Sequence, residues 1–272
     1  MEFELKEQIS SADLVIIGIG SEWNWIKSGI KNDPRYGQLL EYCNHEGNHF
    51  LLPILEYEYA YYNTDNRTKE AYIGLRKLID DKKYFIVSDL FLQDAPLNGF
   101  DPSKCVNPCG NYTYLQTANG QDELYEAIKV PEFMEKVESI HKIITELDGN
   151  IGEDSTFSSV FYNGKELYLN QKRQEYSKIK YNESSYISRW NEYMDYLGRT
   201  LNSKLLILEL GVGLEYPTVV RWPFEKVTFI NKKAHLVRVH EKLYHHTPEI
   251  DDKTDSIQMN SVDYILQESQ GL

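Results

Sequence analysis

Four short, nearly continuous apolar runs constrain this chain most: residues 13–17, 83–88, 205–210 and 235–240. Runs of Val, Ile and Leu this short are the pattern of parallel strands covered by helices on both faces. Helical spacing occurs between and around them. Tyr72, Ile73, Leu75, Leu78 and Ile79 predict a helix over 69–80 that leads into the second strand. Leu124, Ile128, Phe133, Val137, Ile140 and Ile144 predict one over 123–147, with Pro131 starting its second part. Tyr186, Trp190, Tyr193, Met194 and Leu197 predict one over 184–201, ahead of the third strand. Alternating strands and helices predict an α/β fold with right-handed crossovers.

Two stretches break the alternation. Residues 34–63 are dense in aromatics and read as a helical lobe inserted after the first strand. Further on, Asn163-Gly164 lies between Phe161-Tyr162 and Leu167-Tyr168. Asn-Gly between two such runs predicts a β-hairpin, and so a small β module after the acidic turn 148–154. There is no internal repeat.

The first strand runs into Gly18-Ile19-Gly20-Ser21, and the third into Gly211-Val212-Gly213. Glycines at the carboxyl end of a buried strand permit a sharp turn and a close ligand approach, in the crevice where α/β folds bind ligands. Pro217 is placed to open a helix that Thr218 and Arg221 continue, and the N–H groups of that turn suit a phosphate. One such bend is as well explained by an ordinary strand-to-helix turn; two favour a nucleotide site. Glu22-Trp23 stands where a dinucleotide fingerprint would complete its glycines, which disfavours hydride transfer, and no Gly-Lys-Ser/Thr exists for a Walker loop.

Charge and cysteine usage narrow the classes further. The 272 residues carry a formal net charge of −13, which gives no general attraction for nucleic acid or anionic lipid. No apolar run reaches the roughly 18 residues of a membrane span. The acidic start Met1-Glu2-Phe3-Glu4 is unlike a signal peptide. Cys43, Cys105 and Cys109 make neither a disulfide framework nor a Cys-x-x-Cys metal pair. The expectation is a cytoplasmic protein with no structural metal.

The block Leu208-Glu209-Leu210-Gly211-Val212-Gly213, with Pro217-Thr218 and Arg221-Trp222-Pro223-Phe224-Glu225, resembles the sirtuins. It is most similar to their divergent microbial branch, which includes the macrodomain-linked ADP-ribosylating members. Residues 11–20 resemble the first sirtuin strand and its glycine loop. Residues 231–240 resemble the strand that ends at an adenosine contact, here His240, and Met259–Asp263 stands where the last adenine contacts fall, at Ser261 and Val262. The resemblance implies a Rossmann-like core at about 1–30, 68–147 and 184–272, a helical insertion at 31–67 and a small module at 148–183. It implies NAD as cofactor, cleavage of the nicotinamide–ribose bond, and a modified protein as substrate, by deacylation or by ADP-ribosylation. The departures are specific. The nicotinamide-side Asn and Asp positions fall at Leu90 and Leu92, and the catalytic His position falls at Cys109 of Pro108-Cys109-Gly110. A thiol of ordinary pKa, about 8.5, is a poor proton acceptor. The zinc cysteines are absent around 149–154, so the hairpin module is expected to be zinc-free.

The candidate catalytic residues are Cys109 and Glu22. Cys109 reads as a catalytic group, a pocket wall or a small buried hydrophobe. Glu22 reads as a ribose contact or as an acid favoured in a helix first turn, and Trp23 as a wall of the nicotinamide pocket. The cofactor-binding candidates are Gly18, Ile19, Gly20, Ser21, Trp23, Gly211, Val212, Gly213, Thr218, Arg221, His240, Ser261 and Val262. Arg221 would reach a diphosphate or pair with Glu225 four residues on. Glu209, inside an apolar strand, requires a donor such as an Arg. His245 and His246 read as solvated, and His45 and His49 beside Cys43 as an improbable metal cluster. The leading function is an NAD-dependent ADP-ribosyltransferase or deacetylase of sirtuin type. The alternative is a degenerate module that binds NAD or ADP-ribose without turnover, and the third reading is an interaction protein without nucleotide.

Overall fold

The computed structural model describes residues 5–152, 155–176 and 178–272. Among them the strands in chain order are β1 (Leu14–Ile19), β2 (Lys83–Ser88), β3 (Cys105–Val106), β4 (Gly110–Thr117), β5 (Tyr125–Glu126), β6 (Val160–Tyr162), β7 (Lys165–Gln171), β8 (Leu205–Leu210), β9 (Ala234–Val239) and β10 (Thr254–Ile257). The chain divides into two compact units. One holds the residues up to Asn24, Asp65–Cys109 and Tyr186–Leu272; the other holds Trp25–Thr64 and Gly110–Ser185.

The first unit is built on a parallel six-stranded sheet in the order β10-β9-β8-β1-β2-β3, the α/β architecture that the apolar runs predict. Those runs are its four central strands. All six positions of β8 are buried, as a doubly covered strand requires. The two edge strands were not legible, because β3 has two residues and β10, Thr-Asp-Ser-Ile, has one apolar side chain. Ile16, Phe85, Val87, Ile207 and Leu236 of the sheet pack with Tyr193, Val220 and Phe224. Each fully buried side chain of this size contributes about 1.5–3 kcal/mol.

Two boundaries differ from expectation, with consequences for the site. β1 runs two residues past 17, so Gly18 lies inside the strand, opposite Val87 and Glu209. The helix expected to open at Pro217 begins at Arg221 instead. Val220 has a non-helical backbone there (φ −121°, ψ −61°) and a fully buried side chain. A Cβ on Gly18 would lie 2.3 Å from Val220 Cγ1 and 2.7 Å from Phe224 Cε2. Gly18 therefore serves helix-to-strand packing.

The second unit carries an antiparallel sheet, β5-β4-β7-β6, and the helices Gly37–Asn44, Leu51–Tyr62 and Pro131–Glu146. The expected hairpin is β6–β7, turned by Asn163 (φ 49°) and Gly164 (φ 73°), two successive positive φ angles that favour Asn-Gly. Residues 110–147, expected with the core, fall in this unit, because β4 pairs with β7. The helix expected over 123–147 begins at Pro131, whose ring suits a first helical position; residues 125–126 form β5 instead. Of the acidic turn 148–154, Glu153 and Asp154 lie outside the described residues. Some of the tyrosines serve buried carboxylates here. Glu56 accepts from Tyr112 (2.8 Å) and Arg173, and Glu58 from Tyr36 (2.7 Å) while touching His141 Nδ1 (2.7 Å). Among the described residues no helix is long and apolar enough to cross a membrane.

Candidate functional site

Within the first unit, the two glycine bends lie side by side at the carboxyl ends of the adjacent strands β1 and β8. Gly20 N–H donates to Leu210 O (3.0 Å), Glu22 N–H to Gly211 O (3.2 Å) and Ser21 Oγ to the same oxygen (3.3 Å). A Cβ on Gly20 would sit 2.4 Å from Val212 Cα, and one on Gly211 2.6 Å from Glu22 Cβ and Ser261 Oγ. Gly211 also has φ +65°. These glycines let two backbones and their neighbours touch; they do not hold open a space. What the bends leave unspent is hydrogen-bonding capacity. The N–H groups of Ser21, Val212, Gly213 and Leu214 meet no acceptor among the described residues. Val212 and Gly213 are buried, and buried N–H groups are rarely left unpaired. Successive N–H groups beside a left-handed residue form an anion-receiving concavity.

Glu22 is a clasp beside these bends. Its Oε1 accepts from Glu241 N–H (2.8 Å) and its Oε2 from Ser261 N–H (2.7 Å), at the first turn of the helix Ser261–Glu268. One carboxylate thus joins the β1 bend to the ends of β9 and β10. Trp23, expected as a pocket wall, is fully buried, donates Nε1–H to Ser261 Oγ (3.0 Å) and meets Tyr72 edge-on. Ile19, Ser261 and Val262 are fully buried as well.

His240 follows β9, and its Nδ1 accepts from Lys242 N–H (3.0 Å) and Leu243 N–H (3.2 Å). Glu22 Oε1 lies 3.1 Å from the same nitrogen, but a nitrogen that accepts two N–H bonds carries no proton, so the turn geometry identifies a neutral ring. Burial depresses the His240 pKa, with Glu22 opposing and Arg221 adding to the depression. A depressed histidine pKa makes the unfolded chain bind more protons, so its stability contribution is complete above the ordinary value and is lost as pH falls below it. We expect the urea midpoint of the first unit to fall between pH 7.5 and pH 5.5, and to fall less in His240→Asn, whose side-chain oxygen keeps an acceptor for the turn. An equal slope in both proteins would remove His240 from this role.

Beneath the bends lies a buried ion cluster. Glu209 receives two bonds from Arg238 (2.7 and 2.9 Å) and one from Arg221 (3.4 Å), the partnering expected of a carboxylate in an apolar strand. Arg238 also reaches Glu225 (2.7 Å) and His245 O (2.7 Å). Arg221 neither pairs with Glu225 nor faces solvent: its guanidinium bonds Leu243 O (2.9 Å) and His245 O (2.8 Å). Both terminal nitrogens of Arg221 thus bond groups of the protein, Nη1 to Glu209 and Val212 O (3.5 Å) and Nη2 to the 243–245 loop. Its role is to hold the 243–245 loop.

At the end of β2, Asp89 N–H donates to Ile19 O (3.2 Å), and Asn107 Nδ2 donates to Leu90 O (3.0 Å) and Leu92 O (2.8 Å). Leu90, Leu92 and Cys109 are buried, as is the carboxylate-bearing Asp89. Asp89 and Asn107 escaped the sequence reading; a polar pair in otherwise apolar surroundings was the available signal. Thr218 lines a cleft together with Trp190 and Trp222. His246 is not simply solvated, since it contacts Ser256 Oγ (2.7 Å) and Asp251 (3.0 Å). In the second unit His49 Nδ1 contacts Cys43 O (2.8 Å), and burial pushes the Cys43 thiol up to about 12. Among the described residues no group of three or more His, Cys, Asp or Glu could hold a metal ion.

No protein-family model matches the chain. A Staphylococcus aureus protein named protein ADP-ribosyltransferase is 20% identical over 236 residues, 80% of this chain and 64% of that protein; the match therefore spans less than two thirds of the relative's length. Solved structures match nearly end to end. Sir2Tm bound to a propionylated peptide has a TM-score of 0.52 at 16% identity, covering 96% of this chain and 94% of that one. A Sir2–p53 peptide–NAD+ complex also has a TM-score of 0.52, at 15% identity and with the same coverage. An ADP-ribose complex of a mutant Sir2 homologue reaches 0.56 at 11% identity, covering 99% and 97%. The bends, the parallel sheet and the separate antiparallel unit are thus arranged in a divergent sirtuin-like fold.

Proposed function

We propose that this chain is an NAD-dependent, sirtuin-like protein that takes the diphosphate of NAD or ADP-ribose on the N–H groups of Ser21 and Val212–Leu214. The observation that carries this reading is the set of unspent donors at two adjoining strand ends, two of them on buried residues. Support also comes from sirtuin-fold structures solved with NAD+ and with ADP-ribose. In this reading Glu22, His240, Ser261 and Val262 are positioning residues that shape the adenosine side, because their polar atoms are engaged within the protein or buried. Bound there, NAD would supply a scissile nicotinamide–ribose bond: nicotinamide would leave neutral with the bonding electron pair, and a side chain of a protein substrate would bond the ribose carbon and give its proton to solvent. The relative named as an ADP-ribosyltransferase makes transfer the favoured outcome over deacylation.

A second reading rests on a specific observation. Leu90, Leu92 and Cys109 occupy the positions where the resemblance expects polar catalytic groups, and all three are buried. A protein so altered binds NAD or ADP-ribose without turnover. Both readings require binding. At a ligand concentration of 100 Kd the stabilisation is about 2.7 kcal/mol, a melting shift of roughly 5–10 °C for a unit of this size. Release of nicotinamide from NAD, lost in Cys109→Ala, identifies the enzyme. A melting shift without release identifies the silent binder, and no shift with either ligand at millimolar concentration overturns both.

A further inference from the structure

The helices Ile187–Arg199 and Arg221–Ile230 of the first unit enclose a cleft of about 460 Å³, within the range of about 300–1,000 Å³ typical of small-molecule sites. Trp190, Met194, Leu197, Trp222, Val227 and Ile230 form its walls. Met194, Trp222 and Ile230 keep about half of their surface in water (48%, 58% and 53%). Two polar side chains, Thr218 and Lys226, border this apolar space. Tyr193 lines the cleft at 1% exposure, and its hydroxyl is buried without a hydrogen-bond partner. Thr218 and Lys226 also line it, and neither side chain has a partner among the described residues. An orphaned phenol hydroxyl forfeits about 1–3 kcal/mol of hydration, and burial pushes its pKa up, so it remains a neutral donor.

We propose that this cleft binds a small amphipathic monocarboxylate, its chain against the Trp and Met walls and its anionic head reached by Lys226 and Thr218. Charge complementarity selects the anion: Lys226 lines the cleft as a cation, and among the described residues no carboxylate side chain lines it. The proposal is independent of the nucleotide reading.

Decanoate is the probe, with decanol and decylammonium as controls, followed by Trp fluorescence and thermal melting of the full chain. We expect saturable binding of one decanoate per chain, weaker binding of decanol and none of decylammonium. Lys226→Met should weaken decanoate about tenfold, equivalent to about 1.4 kcal/mol, and leave decanol unchanged. Met194→Trp, at a half-exposed position, fills the cleft and should abolish binding in a chain with unchanged circular dichroism. The proposal is overturned by absence of saturable binding at millimolar decanoate, or by undiminished binding in Met194→Trp. Self-association abolished by Trp222→Glu, with no decanoate bound, would instead assign this face to a second copy of the chain and would equally overturn it.

Discussion

Arg238→Met is expected to destabilise the first unit by about 3–5 kcal/mol, the cost of stranding a buried charge, and to lower its melting temperature by roughly 10 °C. Arg238 is fully buried, and its guanidinium meets both oxygens of Glu209, one oxygen of Glu225 and the carbonyl of His245. Without it, among the described residues Glu209 at 1% exposure retains Arg221, at 3.4 Å. Arg238→Lys should rescue little, since an ammonium cannot reproduce the two-pronged bond to Glu209. Adding Glu209→Leu to Arg238→Met should restore a large part of the loss, because desolvation of two charges opposes much of their attraction. Urea titrations of the three variants make the comparison. A single-variant loss below 1 kcal/mol, or a double variant worse than the single, would remove the cluster as an organising element of the site.

Gly20→Ala is expected to weaken ADP-ribose binding at least tenfold, equivalent to about 1.4 kcal/mol. Its new Cβ would lie 2.4 Å from Val212 Cα and 2.8 Å from Gly211 O. Both neighbours are backbone, so relief requires the β8 bend to move, and with it the N–H groups of Val212, Gly213 and Leu214. Gly18→Ala makes the instructive contrast. Its Cβ meets the Val220 and Phe224 side chains, an overpacking that costs about 1–3 kcal/mol of stability without displacing the bends directly. Calorimetric titration with ADP-ribose alongside denaturation separates the two effects. Wild-type affinity in a folded Gly20→Ala protein would rule out the adjoining bends as the diphosphate site.

The central parallel strands, the Asn-Gly hairpin and the buried partner of Glu209 were legible because each follows from local chemistry. A doubly covered strand is apolar throughout, a turn with two positive φ angles favours Asn-Gly, and a carboxylate among aliphatic residues requires a cation. The edge strands β3 and β10 were not legible, since two residues, or four with one apolar side chain, leave no periodic signal. The pairing that joins 110–117 to the antiparallel sheet was not legible for a similar reason: β4 is specified by its pairing with β7, about fifty residues away in the chain.

At the candidate site the division is sharper. The positions of the bends at strand ends could be read from Gly20, Gly211 and Gly213, but the purpose of each glycine could not. Tertiary contacts assign Gly18 to a helix, Gly20 to the neighbouring backbone and Gly211 to Glu22 and Ser261. They also give Arg221, Trp23 and His240 their hydrogen bonds to Glu209, Ser261 and the 242–243 backbone, contacts that residue type does not specify. Residue type and spacing determine what a segment is able to form; whether its polar atoms are spent on the protein or left for a ligand depends on which distant groups come within hydrogen-bonding reach, and only the folded chain decides that.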